Sequence, residues 1–270
     1  MSASARALTA HESQRPLRET LAFDVAEATS PARAVLVTGG ARRLGRAICE
    51  TLAAHGWRVV IHVRRPDDSD AAALAEQLGG CVVAGELTEP LAAPRLFQAA
   101  CDSAPNLCAL VNNAAMFSPA ADLPPEERTA LQRVNVEVPE KLTTLLGLRL
   151  MEHPPFHGAV VNLLDCRILP PLLPGQKETP YLASKRALQA SMLKSAGLFA
   201  SCLRVNAVAP GPVLPPANPA HRISGGEILL PQRPTPSDVA AAVAYLLEAP
   251  AVTGQTIAVD SGQSMIDDRG

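Results

Sequence analysis

Apolar positions along this chain alternate between two rhythms. Short continuous runs at residues 34–37, 58–63, 81–84, 107–111, 159–164, 203–208 and 256–259 read as strands buried on both faces. Between them the spacing becomes helical, predicting helices at about 44–56, 69–78, 91–103, 125–151, 181–200 and 237–247. Strands that alternate with helices of this length predict an α/β fold, a doubly wound parallel sheet with helices on both faces. The N-terminus departs from the pattern. Residues 1–33 are rich in Ala, Ser, Arg and Glu and lack a core pattern, so a flexible extension is expected there, with a short helix at 17–28. Its acids Glu12, Glu19, Asp24 and Glu27 argue against a transit peptide. Residues 34–270 contain no internal linker and are expected to form one domain.

The stretch 34–45, AVLVTGGARRLG, joins the first strand to the first helix through a glycine-bearing turn. Glycines let backbone approach a pyrophosphate, and a helix N-terminus offers free N–H groups and a positive dipole end. That is the first unit of a Rossmann-type dinucleotide-binding domain, although an ordinary βα turn with no ligand would also carry glycines.

Composition narrows the partners. A hydrophobic share of 47% in 270 residues suffices for a two-faced sheet, and a net charge of −2 implies neither nucleic acid nor a membrane surface. The six cysteines are scattered with no C-x-x-C pair, which suits free thiols in a reducing cytoplasm, and the six histidines show no metal-ligand spacing. No apolar run reaches the roughly 18 residues that cross a bilayer.

Three further stretches carry chemistry. Tyr181 and Lys185 stand at i and i+4, one turn apart on one helix face. A neighbouring ammonium is expected to favour phenolate and lower the Tyr181 pKa, which suits a proton donor near neutral pH; a solvated Tyr/Lys face is the plain alternative. Asn112-Asn113-Ala114 ends the fourth strand and Asp165 ends the fifth, at the carboxyl edge where open α/β sheets place ligands.

With these residues in place, the chain from about 34 to 265 resembles the short-chain dehydrogenase/reductase family. The resemblance rests on Thr38-Gly39…Gly45, Asn112-Asn113-Ala114, Asn135, Tyr181…Lys185, Arg204-Val205-Asn206, Pro210-Gly211 and Thr253-Gly254-Gln255, in that order. It implies that Tyr181 exchanges a proton with the substrate while a nicotinamide carries the hydride. It also implies that Lys185 holds the nicotinamide ribose and that Asn135 anchors a water relay through that lysine. Gly39, Leu44, Gly45, Leu87, Asn113, Ala114, Pro210, Gly211 and Val213 are the matching cofactor contacts. Glu86 stands where relatives commonly carry Asp near the adenine, and Ser261-Gly262 replaces a usual glycine pair. The family also pairs its long helices into dimers and tetramers, so a homodimer or homotetramer is expected.

A narrower resemblance is to pteridine reductases and dihydromonapterin-reductase-like members. Arg43 replaces the middle glycine of the first turn, Arg64-Arg65 ends the second strand, Asp165 stands where most relatives have a catalytic serine, and Phe117 follows the N-N-A stretch. By this likeness Arg43 touches cofactor phosphates and substrate, Phe117 stacks on a pterin, and Asp165 belongs to the catalytic group. Read from the residues alone, Asp165 either hydrogen-bonds Tyr181 or an amino-pyrimidine edge, or caps a neighbouring turn. Phe117 either clamps a flat substrate or packs in the core.

An acid at the end of strand two holds the ribose 2′-OH of NAD, whereas a 2′-phosphate calls for arginine. Arg64 and Arg65 stand there with Arg42 and Arg43 in the first loop, and no acid precedes Asp67, so NADPH is the expected cofactor. Arg64 also reads as a solvated loop residue. The expected activity is NADPH-dependent reduction of a pterin-like C=N substrate. A generic carbonyl reductase of 3-oxoacyl type and a non-catalytic cofactor-binding module are the alternatives. Two Pro-rich loops, 169–180 and 212–236, are expected to wall the substrate pocket, the second as a lid.

Overall fold

The computed structural model describes residues 33–152, 157–170, 178–215 and 227–266. Seven parallel strands form its sheet: β1 Ala34–Val37, β2 Arg58–Val63, β3 Cys81–Ala84, β4 Leu107–Asn112, β5 Gly158–Leu163, β6 Leu203–Pro210 and β7 Thr256–Val259. Their order in the sheet is β3-β2-β1-β4-β5-β6-β7. The order reverses between β1 and β4, which opens a crevice at the carboxyl ends of those two strands. β1, β4 and β5 are buried along their whole length, as their unbroken apolar runs require.

The helices are α1 Arg43–Ala54, α2 Ser69–Leu78, α3 Ala92–Ser103, α4 Pro125–Gln132, α5 Val138–Glu152, α6 Pro180–Leu198 and α7 Pro236–Glu248. α1 and α7 pack on each other, while α5 packs against both α3 and α6. Short polar residues set two of the starts. Thr179 caps α6 by accepting the Leu182 N–H at 3.2 Å, with Pro180 at the first helical position. Thr235 and Asp238 form a reciprocal capping box at α7.

The continuous helix expected at 125–151 is interrupted. A π-helical turn, Arg133–Glu137, separates α4 from α5. The extra residue swings Asn135 inward, where it is buried. Its amide donates to Met116 O at 2.9 Å and Ser184 Oγ at 3.0 Å, and accepts the Met116 N–H at 2.8 Å. Apolar periodicity does not register a one-residue bulge, so the sequence reads straight through it. The expected extension at 1–33, apart from Arg33, lies outside the described residues, as do 171–177 and 216–226 of the two Pro-rich loops.

Candidate active site

The turn after β1 is tightly fitted. Gly39 has φ +62°, a conformation that L side chains seldom adopt. A Cβ on Gly45 would stand 2.1 Å from Gly39 O, so α1 and the turn approach as closely as they do only because residue 45 lacks a side chain. Asn113 ties the end of β4 to this turn by donating to Thr38 O at 2.8 Å and Gly39 O at 3.1 Å. The Thr38 hydroxyl accepts the backbone N–H groups of Asn113 and Ala114, both at 3.0 Å. No acidic residue or capping side chain occupies the first turn of α1. Its N–H groups are therefore available to an anion. Arg43 opens that helix at φ +55°, and its guanidinium crosses to the carbonyl of Pro215.

His62 braces the same turn from β2. Its Nδ1 accepts the Gly39 N–H at 3.1 Å and its Nε2 donates to Gly85 O at 2.9 Å. Acceptance at Nδ1 requires the neutral ring with its proton on Nε2, and burial pushes the imidazole pKa down, which favours that form. Beside it lies a cleft of about 430 Å³ lined by Gly39, Arg42, Arg64, Arg65 and Asp68. The four expected arginines are not equivalent. Arg42 pairs with Asp68 at 3.1 Å and Asp70 at 3.4 Å, and Arg64 lies 3.7 Å from Glu86. Glu86 also accepts the Thr88 N–H at 3.1 Å, while the neighbouring Leu87 is buried. Arg65 has no ion pair among the described residues and faces the cleft.

A second cleft, of about 240 Å³, brings together Arg43, Leu44, Asn113, Tyr181, Lys185, Gly211 and Val213. It adjoins a cavity of about 490 Å³ lined by Phe117, Asp165, Arg167, Tyr181, Pro210, Gly211 and Gln263. Asp165, Tyr181 and Gly211 belong to both. Residues from α1, from the end of β4, and from β5, α6 and β6 thus meet at one carboxyl edge.

At their junction the Tyr181 hydroxyl donates to Asp165 Oδ2 at 3.2 Å. Lys185 is buried, donates to Leu163 O at 2.8 Å, and holds Nζ 5.7 Å from the Tyr181 ring centroid. Phe117 meets the same ring edge-on at 4.9 Å, and it also packs against the core. Both alternatives for Asp165 are present. It bonds Tyr181, and it caps the turn Cys166–Ile168 by accepting the Arg167 N–H at 3.0 Å.

Arg167 was not anticipated. Its guanidinium grips Asp165 through Nε at 2.9 Å and Nη2 at 2.8 Å and lies 5.7 Å from the Tyr181 ring centroid. This changes the electrostatics expected from the sequence. Tyr181 is raised well above its ordinary value, first by burial and then by the Asp165 charge. The counteracting cation is Arg167 rather than Lys185. Burial itself pushes Lys185 down to about 8, against the pull of Asp165. The i,i+4 spacing located the pair correctly but carried no information on depth, and depth decides the direction of both shifts. A D-x-R step at the end of a strand was the available sign of Arg167, and a lone His within an apolar strand was the sign of His62.

The comparisons with known proteins agree with this geometry. Residues 39–264 match a short-chain dehydrogenase/reductase model described as enoyl-(acyl carrier protein) reductase. The chain belongs to the short-chain dehydrogenase/reductase family. A Streptomyces violaceoruber protein bearing the name granaticin polyketide synthase ketoacyl reductase 2 is 32% identical over 249 residues, covering 86% of this chain and 96% of its own. The 3beta-hydroxysteroid dehydrogenase 1 of Eggerthella lenta is 28% identical, with 86% and 94% covered. Among solved structures, FolM alternative dihydrofolate reductase 1 from Brucella suis, in complex with NADP, is 32% identical with a TM-score of 0.75. That match covers 87% of this chain and 96% of the other. This short-chain reductase is an oxidoreductase in its fold and its family, and among its described residues no helix is long and apolar enough to cross a membrane.

Proposed function

We propose that this chain is an NADPH-dependent reductase of a pterin or similar conjugated C=N heterocycle. The observation that carries the reading is the junction of the glycine turn with the Tyr181–Asp165–Arg167 cluster, its phenol buried, across one pair of adjoining clefts. The residues present suit a dinucleotide. The Gly39–Gly45 approach leaves backbone N–H groups open at the head of α1, and Arg65 offers an unengaged guanidinium to a 2′-phosphate. NADP in the similar Brucella suis protein supports the same choice. NADPH supplies the hydride.

The chain supplies position and the proton. Gly39, Gly45, Asn113 and Ala114 shape the turn that would hold the pyrophosphate. Lys185 and Tyr181, which line the smaller cleft together with Pro210, Gly211 and Val213, would hold the nicotinamide ribose. When the C=N carbon receives hydride, the nitrogen takes the proton of the Tyr181 hydroxyl. A raised phenol pKa keeps that proton in place until it is needed. Arg167 limits the charge that Asp165 imposes on the phenolate left behind. Phe117 is an aromatic wall for a flat ring, edge-on to Tyr181. Asn135, fixed by Met116 and Ser184, holds the turn that carries it against α6.

Two features bear on assembly and compartment. Leu148 and Met151 on α5 and Leu193 and Leu198 on α6 are exposed, as a helix-paired homodimer or homotetramer requires. Six free cysteines fit a cytoplasmic enzyme.

The test is loss of NADPH absorbance with a dihydropterin. Wild type turns over, and Tyr181→Phe lowers kcat/KM by roughly 10³-fold, within the usual range for a general acid. No turnover with dihydropterins removes the substrate claim. Turnover of a 3-oxoacyl thioester in its place would favour the second reading, a carbonyl reductase, which the 32% identity to the granaticin ketoacyl reductase supports.

A further inference from the structure

A flat nitrogen heterocycle presents N–H donors at its edge, so the 490 Å³ cavity needs acceptors to recognise it. Asp165 is already committed. Its Oδ1 takes the Arg167 N–H and Nε, and its Oδ2 takes Arg167 Nη2 and the Tyr181 hydroxyl. A carboxylate has about four lone-pair sites, so the protein itself fills them. One other acceptor in the lining has the opposite status. The side-chain oxygen of Gln263 is buried and has no hydrogen-bond partner among the described residues.

Such groups are rare because an acceptor removed from water and left unpaired is costly. This one is also held in place. β7 leads into Asp260, a buried carboxylate that accepts the Gly262 N–H at 2.9 Å and the Ser264 N–H at 2.7 Å, and Gln263 N–H donates to Asp260 O at 3.1 Å. Gly262 at φ +79° and Ser261 at φ +57° complete the tight turn from which Gln263 departs. Its oxygen lies 3.5 Å from where a Cβ on Gly211 would stand, and Gly211 lines both the cavity and the cleft that holds Lys185. The missing side chain at 211 lets that strand end approach Asp260, where a Cβ would stand 3.0 Å from the Asp260 backbone, and so brings the turn carrying Gln263 up to the cavity wall.

We propose that Gln263 is a further substrate-binding residue, whose side-chain oxygen accepts a ring or amino N–H of the heterocycle and so favours it over ketones that lack one. The inference rests on the reductase reading above and goes further by naming the recognition group. Nothing in the sequence singles this residue out.

Steady-state kinetics with NADPH on the full chain tests it, using wild type, Gln263→Met and Gln263→Glu with a dihydropterin and a 3-oxoacyl thioester. Gln263→Met keeps the length and removes the acceptor. It is expected to raise KM for dihydropterin about 10-fold while kcat stays within about twofold, as for loss of one hydrogen bond. Gln263→Glu restores an oxygen and stays within about threefold of wild type. With the thioester, which offers no ring N–H, the loss in Gln263→Met is at least about fivefold smaller. An unchanged dihydropterin KM in Gln263→Met, with wild type active, overturns the inference alone. Wild type inactive on dihydropterin overturns the functional reading and this inference together, and is visible before any variant is made.

Discussion

The two halves of the sheet build their shares of the site in different ways. On the β1–β4 side the glycine turn presents backbone, braced by two side chains. Gly45 lies against Gly39, Asn113 donates to Thr38 and Gly39 carbonyls, and His62 accepts the Gly39 N–H. On the β5–β7 side the larger cavity is lined by side chains, among them Asp165, Arg167, Tyr181 and Gln263, drawn from segments up to about a hundred residues apart. A site of backbone tolerates little change at its glycines, while a site of side chains can be altered at one contact and keep its shape.

The largest effect that would test this contrast comes from Gly45→Val. The first side-chain atom already falls 2.1 Å from a carbonyl oxygen, so the turn must open. Misplacement on that scale costs about 100-fold or more, here in NADPH affinity measured by fluorescence titration. Unchanged affinity would mean that the turn is softer than its contacts indicate.

Arg65→Ala comes next. It is expected to erode the preference for NADPH over NADH by roughly 10- to 100-fold, the worth of a charge-assisted hydrogen bond or two. Arg64→Ala should cost less, because Arg64 is shared with Glu86. Equal losses in the two variants would show that the Arg64–Glu86 pair opens for the nucleotide.

Arg167→Leu sharpens the other half. Removing the cation that counters burial and Asp165 sends Tyr181 still higher. If the phenol is the acid, the alkaline limb of kcat/KM moves to higher pH and the rate falls about 10-fold. A profile superposable on wild type would remove Arg167 from the proton chemistry.

A separate effect concerns stability. Burial lowers Lys185 from its ordinary 10.5 to about 8. Between those values the unfolded chain binds more protons, so stability rises with pH across that window. The penalty is fully present below about pH 8 and fades towards 10.5. Wild type should therefore gain stability relative to Lys185→Met between pH 8 and 10 in denaturant titrations. Parallel curves would place the lysine in water.

These contrasts also explain what the sequence disclosed. Strand and helix positions were readable because apolar period reports burial directly: β2 at Arg58–Val63 and β7 at Thr256–Val259 coincide with the expected runs. The glycine turn and the Tyr181–Lys185 pair were readable because their spacing is local. The π turn at Arg133–Glu137 was not, since one inserted residue leaves the apolar count almost unchanged. Arg167 and Gln263 escaped for another reason. Their significance lies in partners, Asp165 and Tyr181 for one and, for the side-chain oxygen of the other, the lack of one among the described residues, and partnership across the sheet leaves no mark on spacing. The direction of the Tyr181 shift escaped likewise, because sequence proximity to a lysine does not reveal how far from water both groups sit.

Arg43 illustrates a tension within the fold. An L-residue at positive φ sacrifices roughly 1–2 kcal/mol relative to right-handed backbone, and here that backbone carries the guanidinium that reaches Pro215. Glycine at 43 would relax the chain and unfasten the crossing in a single exchange. Backbone relaxation and the crossing therefore pull position 43 in opposite directions.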